Sequence, residues 1–245
     1  MSDVIIRSEG LTKTYLMGVE KVHALRGVTL DIERGNYVSI MGPSGSGKST
    51  FFNIIGGLDR PTEGEVYLDG TRYGDLNSEQ MAWVRCHKIG YVFQSFNLIP
   101  TMTALENVAI ARVFYGRSPR EARGDAGLAL ESVGLGHRLN HLPSELSGGQ
   151  QQRVAIARAI VNQPSVILAD EPTGNLDLRT GAEIIELLGK MKTELKITVI
   201  TATHDMKMLS ASDLVVWIRD GAINRVARRD EVTIEVGSID GQTLA

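Results

Sequence analysis

The chain has 245 residues, 26 Lys plus Arg against 29 Asp plus Glu for a formal charge of −3, and 42% hydrophobic against 22% charged residues. Such a chain buries a core without disulfides or a structural metal, and its mild acidity excludes a general nucleic-acid-binding surface, which needs a basic excess. Cys86 is the single cysteine, which excludes an internal disulfide framework and a thiolate zinc cluster and fits a reducing compartment, the cytoplasm by default.

The N-terminal residues have no basic stretch leading into a long apolar one, so no signal peptide is expected. The first 35 residues alternate apolar and polar positions around turn residues such as Glu33-Arg34-Gly35-Asn36 and predict antiparallel strands at 4–7 and 22–32. Further strands are expected at 37–41, 65–68, 90–93, 166–169, 197–202 and 214–218. Several of these are continuous apolar runs, the pattern of strands covered on both faces of a parallel sheet. Thr103-Ala104-Leu105-Glu106 and Ser118-Pro119-Arg120-Glu121 fit capping boxes, the second with Pro at the first helical position. The stretch from about 95 to 161 therefore reads as a mostly helical insertion between two buried strands. After about Arg225 the signal weakens, although Val232, Ile234 and Val236 alternate as a last strand would; the run 225–230 reads as a solvated basic face, with a lipid headgroup contact as the alternative. The longest apolar runs are strand-sized, far below the roughly 18 residues of a spanning helix, so action at a membrane requires another chain to cross it. The expected fold class is α/β, with a mostly parallel sheet, an N-terminal antiparallel β subdomain and an inserted helical subdomain. A single domain over residues 1–225 and a tail over 226–245 are the expected organisation.

Gly42-Pro43-Ser44-Gly45-Ser46-Gly47-Lys48-Ser49 fits G-x-x-x-x-G-K-[ST] and directly follows the apolar strand at 37–41. Phe51, Ile54, Ile55 and Leu58 then fall at helical spacing, as the apolar face of a helix lying on the sheet. Chance produces such a string in about one chain in a hundred at average residue frequencies, and the strand and helix flanks lower that further. Glycines let successive backbone N–H groups turn toward phosphate oxygens, and the helix N-terminus adds its dipole. Lys48 supplies a compact cation for β- and γ-phosphates, and the Ser49 hydroxyl suits Mg²⁺. The loop, with Thr50 adjoining it, is the expected nucleotide site of a P-loop NTPase core. Val166-Ile167-Leu168-Ala169-Asp170-Glu171 places two carboxylates at the end of an apolar strand, the edge where open α/β sheets bind ligands. Asp170 suits the surroundings of Mg²⁺, and Glu171 can polarise an attacking water; taken alone, the pair equally fits a solvated strand end.

Leu146-Ser147-Gly148-Gly149-Gln150 precedes that strand. Ser147 is a good N-cap, Gln150 completes a capping box, and Gly148-Gly149 let an anion approach the helix start. This pentapeptide, the phosphate loop and the Asp170-Glu171 strand together resemble the nucleotide-binding domains of ABC transporters, over about residues 5–225. The resemblance implies Mg²⁺-dependent ATP hydrolysis and a head-to-tail pair of copies, two ATP molecules lying between the phosphate loop of one and Ser147, Gly148, Gly149 and Gln150 of the other. It implies that Gln94 touches Mg²⁺ and the attacking water, that His204 holds the γ-phosphate, and that Asp177 contacts the opposite phosphate loop. It also implies that Tyr15 stacks on adenine, although a Tyr in a β segment also fits a place in the core or rim. Residues 95–102, with Phe96, Leu98, Ile99 and Met102, fit either core packing or a docking site for a cytoplasmic helix of a transmembrane permease subunit. Residues 89–98 and 169–177 look most like the lipoprotein-releasing, macrolide-efflux and cell-division branch, which implies a peripheral subunit on the cytoplasmic side of the inner membrane.

Two rivals belong to other classes. ABC-type ATPases acting on DNA or ribosomes usually carry coiled coils, zinc modules or tandem domains, which do not fit one phosphate loop and one cysteine in this length. A regulatory module that hardly turns ATP over is opposed by intact Lys48, Asp170, Glu171 and His204. His137 and His141, with no adjoining acid, read as surface histidines, and His23, His87 and Cys86 form no ligand cluster.

Overall fold

Apolar runs bounded by turn residues become strands here, and capped amphipathic runs become helices. The computed structural model describes residues 3–232, 234–235, 238–239 and 242–243, in two compact units, Met1–Met81 with Thr198–Ala245, and Ala82–Ile197.

In the first unit, β1 (Val4–Met17) and β2 (Glu20–Glu33) pair antiparallel, and β1 also pairs with β4 (Glu63–Leu68), which carries the short β5 (Thr71–Arg72). Ile6 lies opposite Ile32 on one side and Leu68 on the other, and all three are buried. On the opposite face Arg7 and Asp31 are cross-strand partners joined by an ion pair of 3.0 Å. The strand β1 is ten residues longer than the expected 4–7, because register shifts at several points, one of them around Gly10, let pairing continue.

The second sheet segment of this unit holds β3 (Tyr37–Met41), parallel to β8 (Thr198–Thr203) and to β9 (Leu214–Arg219), with β10 (Ala222–Arg228) antiparallel to β9. Every residue of β3 and β8 is buried, as continuous apolar runs require. Helix α1 (Lys48–Ile55) buries Phe51, Ile54 and Ile55. Leu58 departs from the expected stripe at 48% exposure, because Gly56 caps the helix and Gly57, at φ +68°, turns the chain away.

The run at 225–230 is mostly exposed, as expected of a solvated face, with Arg225 over the Trp217 ring at 5.1 Å; within it Ala227 is buried, and half-buried Arg229 donates to the carbonyls of Leu209 and Val232. Its signal is weak in the sequence because β10 is an outer strand with polar, exposed positions. Val232 is buried in a cluster with Met41, Leu209, Val215 and Ala227. The short β11 (Ile234–Glu235), β12 (Ser238–Ile239) and β13 (Gln242–Thr243) pair in succession, and Val236 lies outside the described residues.

Helix α2 (Ser78–Lys88) leads into the second unit, where β6 (Ile89–Val92) and β7 (Val166–Asp170) are parallel, with Val92 opposite Ala169. Between them come α3 (Ala104–Phe114), α4 (Pro119–Ser132) and α5 (Gly148–Ile160), and α6 (Leu178–Leu195) follows β7. The unit is wider than the expected insertion at 95–161. Gly90 is required by close approach, since a Cβ there would meet the Ala159 carbonyl at 2.5 Å. His87 stacks on Trp83 and meets the Tyr115 ring at a tilt, and His141 accepts from Arg138 at 2.8 Å, so both have structural partners. No helix among the described residues is long and apolar enough to cross a membrane.

Both expected capping boxes form, Thr103 with Glu106 and Ser118 with Glu121. The Thr103 backbone N–H and the Ser118 hydroxyl, respectively, hold the two carboxyl groups below their ordinary range. A depressed native pKa stabilises the fold above the unfolded value of about 4.3 and is lost as pH falls through the native one. Thr103→Ala is expected to cost about 1 kcal/mol, lowering Tm by about 2–4 °C at pH 7 in scanning calorimetry. An unchanged Tm would show that the cap is dispensable.

Candidate nucleotide-binding site

The phosphate loop is built on β3 and braced from behind by a turn. Gly47, at φ +106°, is the N-cap of α1, and no side chain caps the helix, so its first turn is open to an anion. Gly45, at φ +77°, has nothing within 4 Å of where a Cβ would stand, whereas a Cβ at Gly42 would run into the Ile218 carbonyl. The Lys48 ammonium folds back on the loop, donating to the carbonyls of Gly42 at 2.7 Å and Pro43 at 3.0 Å. Ser46 Oγ is buried and has no partner among the described residues, and Ser49 is exposed on the first turn of α1. A buried orphan hydroxyl, a retracted cation and an uncapped helix start are what a phosphate chain would satisfy.

The parallel register sets Met41 beside Thr203, so Gly42 and the exposed His204 leave adjacent strands at one edge. Tyr15 is half-buried in the same unit. Its hydroxyl donates to Asp59 at 2.9 Å, and the Lys13 ammonium lies 4.9 Å from the ring centroid. Burial first, and then Asp59, pushes its phenol pKa up.

In the second unit Asp170 ends β7 and is half-buried, and Glu171 follows at φ +43°, a conformation uncommon for a residue with a Cβ. The Gly174 amide donates to the Glu171 carbonyl at 3.0 Å, and buried Gln152 of α5 donates to the Pro172 carbonyl at 2.9 Å, fixing the turn after the carboxylate. Gln94, two residues beyond Val92, joins this turn: its carbonyl accepts from Asn175 at 2.9 Å, and its side-chain amide lies where a Cβ on Gly174 would be only 2.7 Å away. Ser147 N-caps α5 in a capping box with Gln150, and a Cβ at Gly148 would lie 3.4 Å from Leu176 and 3.8 Å from Phe96. Asp177 N-caps α6 and accepts from the Thr180 hydroxyl at 2.6 Å, the first cause of its lowered pKa. Gln94, Asp170, Glu171, the 172–177 loop and the start of α5 are therefore one constellation.

Phe96, Leu98 and Met102 are half-buried, while Ile99 is 36% exposed and lies within a segment pinned by the buried Asn107, which bonds the Ile99 amide and the carbonyls of Ile99, Met102 and Thr103. The sequence reading missed the brace of the phosphate loop: Gly221 donates to the Ser46 carbonyl at 3.0 Å and accepts from the Arg26 amide at 2.8 Å. Its signal was present in Asp220-Gly221 between apolar strands, a hairpin dipeptide. It also missed Gln152 and Arg158, which helical periodicity alone cannot separate from other polar positions.

A strand, glycine loop and helix of this geometry define a P-loop nucleotide-binding protein. The profile of the family described as "ABC transporter" matches residues 25–174. The ABC transporter ATP-binding protein MJ0796 of Methanocaldococcus jannaschii is 51% identical over 225 residues, covering 90% of this chain and 96% of that protein. Its dimeric structure in a post-hydrolysis state with ADP and Pi matches with a TM-score of 0.85 at 48% identity, over 91% of this chain and 98% of that one. The macrolide export ATP-binding/permease protein MacB of Rhodopirellula baltica is 46% identical over 94% of this chain, which spans 34% of its length. The chain belongs to the ABC transporter family as an ATP-binding cassette, a subunit that binds and hydrolyses ATP.

Proposed function

We propose that two copies of this chain close around two ATP molecules and, on hydrolysis, reopen, moving permease subunits to which they are docked on the cytoplasmic side of the inner membrane. The observation that carries this reading is the likeness to the dimeric MJ0796 cassette bound to ADP and Pi. The cassette is read as one domain over residues 1–225, with its helical part at about 95–161; β10 runs past that boundary to Arg228.

Lys48, the loop amides and the Ser46 hydroxyl hold the phosphates, Tyr15 packs against the base, and Ser147, Gly148, Gly149 and Gln150 of the other copy complete the site. The residues fit Mg²⁺, since Ser49, Gln94 and Asp170 offer only hard oxygen donors. When bound, the ion would neutralise charge on the phosphate oxygens. Glu171 orients the attacking water, Gln94 holds its other side, and His204 and Lys48 stabilise charge on the transferring phosphoryl group. Asp177 reaches toward the opposite phosphate loop while holding the first turn of α6.

The likeness to MacB, a macrolide export ATP-binding/permease protein, supports a permease partner and work in efflux; residues 95–102 are read as the docking segment for that partner, and lipoprotein release as the other task of the same branch. Affinity purification of the tagged chain from detergent-solubilised native membranes, with ATPase assayed on the product, tests this. The expected result is a stoichiometric multi-span partner that changes the rate. Recovery only from the soluble fraction, with DNA or ribosomes attached, would overturn the transporter role and leave ATP hydrolysis standing.

A further inference from the structure

Helix α5 carries, in its last turn, a charged side chain that the chemistry above does not use. Arg158 is half-buried, and its guanidinium donates from Nη1 to the Asn97 carbonyl at 2.6 Å and from Nη2 to the Phe96 carbonyl at 2.8 Å. It has no carboxylate partner among the described residues, and burial alone pulls its pKa down. Withdrawing a guanidinium from water without an opposite charge is unfavourable, so the two carbonyls must be held for a reason.

The acceptors supply it. Phe96 and Asn97 are consecutive non-glycine residues at φ +59° and +48°. Left-handed backbone with a Cβ persists only where its surroundings impose it. A planar fork bonded to two successive carbonyls fixes the mutual orientation of the two peptides, which a point charge such as an ammonium cannot do. The kinked pair begins two residues after Gln94, whose own carbonyl is held by Asn175. One end of the loop is therefore tied to the turn after Glu171 and the other to α5.

We propose that Arg158 is a positioning residue for ATP hydrolysis, a two-pronged clamp that holds the left-handed pair Phe96-Asn97 and so sets Gln94 at the edge where Asp170 and Glu171 emerge. This rests on the reading of Gln94 as a contact to the metal and the attacking water. It gives α5 two duties in one chain: Ser147 and Gly148 at its start, and the alignment of the Gln94 loop at its end.

The test compares Arg158→Met, Arg158→Lys, Gln94→Ala and the double variant Gln94→Ala/Arg158→Met in the full chain, by kcat and KM for Mg-ATP, with calorimetry as the check on folding. Arg158→Met is expected to lower kcat by about tenfold or more, with KM changed by less than about twofold, because misplaced groups act on the reacting geometry rather than on uniform binding. Arg158→Lys should recover only part of the loss. The double variant should be no slower than Gln94→Ala alone, since both changes act through one loop. Adding Asn97→Gly to Arg158→Met or, if that fails to fold, to Arg158→Lys should restore rate, because glycine adopts the left-handed turn unaided.

A native kcat for Arg158→Met beside a slow Gln94→Ala would overturn the clamp while leaving the role of Gln94. Multiplied losses in the double variant would do the same. A native rate for Gln94→Ala would remove the role of Gln94 and the clamp with it.

Discussion

Replacing Glu171 with Gln is expected to slow ATP turnover by about 10²–10⁴-fold while leaving Mg-ATP binding intact, and to accumulate a closed dimer in ATP. The carboxylate follows the last residue of β7, and its turn is fixed by the Gly174 amide and by Gln152, so the substitution changes charge without changing shape. Gln keeps the Cβ that Glu171 already places at φ +43°, and backbone strain is therefore equal in both forms. What is lost is the acceptor that draws a proton from water. Single-turnover hydrolysis, equilibrium nucleotide binding and light scattering with and without ATP separate the effects. Hydrolysis at the native rate would remove Glu171 from the chemistry.

Gly47→Ala is expected to unseat the phosphate loop. The residue is at φ +106°, and a Cβ there would stand 2.5 Å from the Ala24 carbonyl and 3.0 Å from Leu25 Cδ2, so either β2 or the loop must move. Backbone strain and overpacking together cost about 3 kcal/mol, which lowers Tm by about 6–12 °C in a chain of this size. Nucleotide affinity should fall by about 100-fold or more, because the loop amides and the first turn of α1 lose their alignment. Gly45→Ala is the control. Gly45 also has positive φ, +77°, but nothing lies within 4 Å of its would-be Cβ, so the cost is backbone conformation alone, about 1 kcal/mol. Calorimetry and nucleotide titration on both variants distinguish the steric account from a general intolerance of the loop. Equal behaviour of the two would sink it.

Other expectations fared unevenly, for physical reasons. Capping boxes at Thr103 and Ser118 were legible because a cap is a local bond within one turn. The expected helix face through Leu58 failed because Gly57 turns the chain before that position, a case where backbone freedom outranks apolar spacing. The strand β10 was faint because a polar outer strand shows little alternation, and the contacts of Arg225 with the Trp217 ring and of the following Arg229 with the Leu209 carbonyl belong to the fold rather than to the local string.

The sequence by itself determined the chemistry: a phosphate loop between an apolar strand and a helix, carboxylates at a strand end, and a capped glycine pair before α5. Each is a contiguous string whose residue types have few other uses, so spacing was enough. Only the tertiary structure decided what holds those strings in place. The brace of the phosphate loop by Gly221, the packing of Gln94 over Gly174, the bond from Gln152 to Pro172 and the grip of Arg158 on two left-handed residues join positions far apart in the chain, Arg26 and Gly221 among them. Hydrogen bonds to carbonyls carry no side-chain signature in the acceptor, and so a single sequence does not display them.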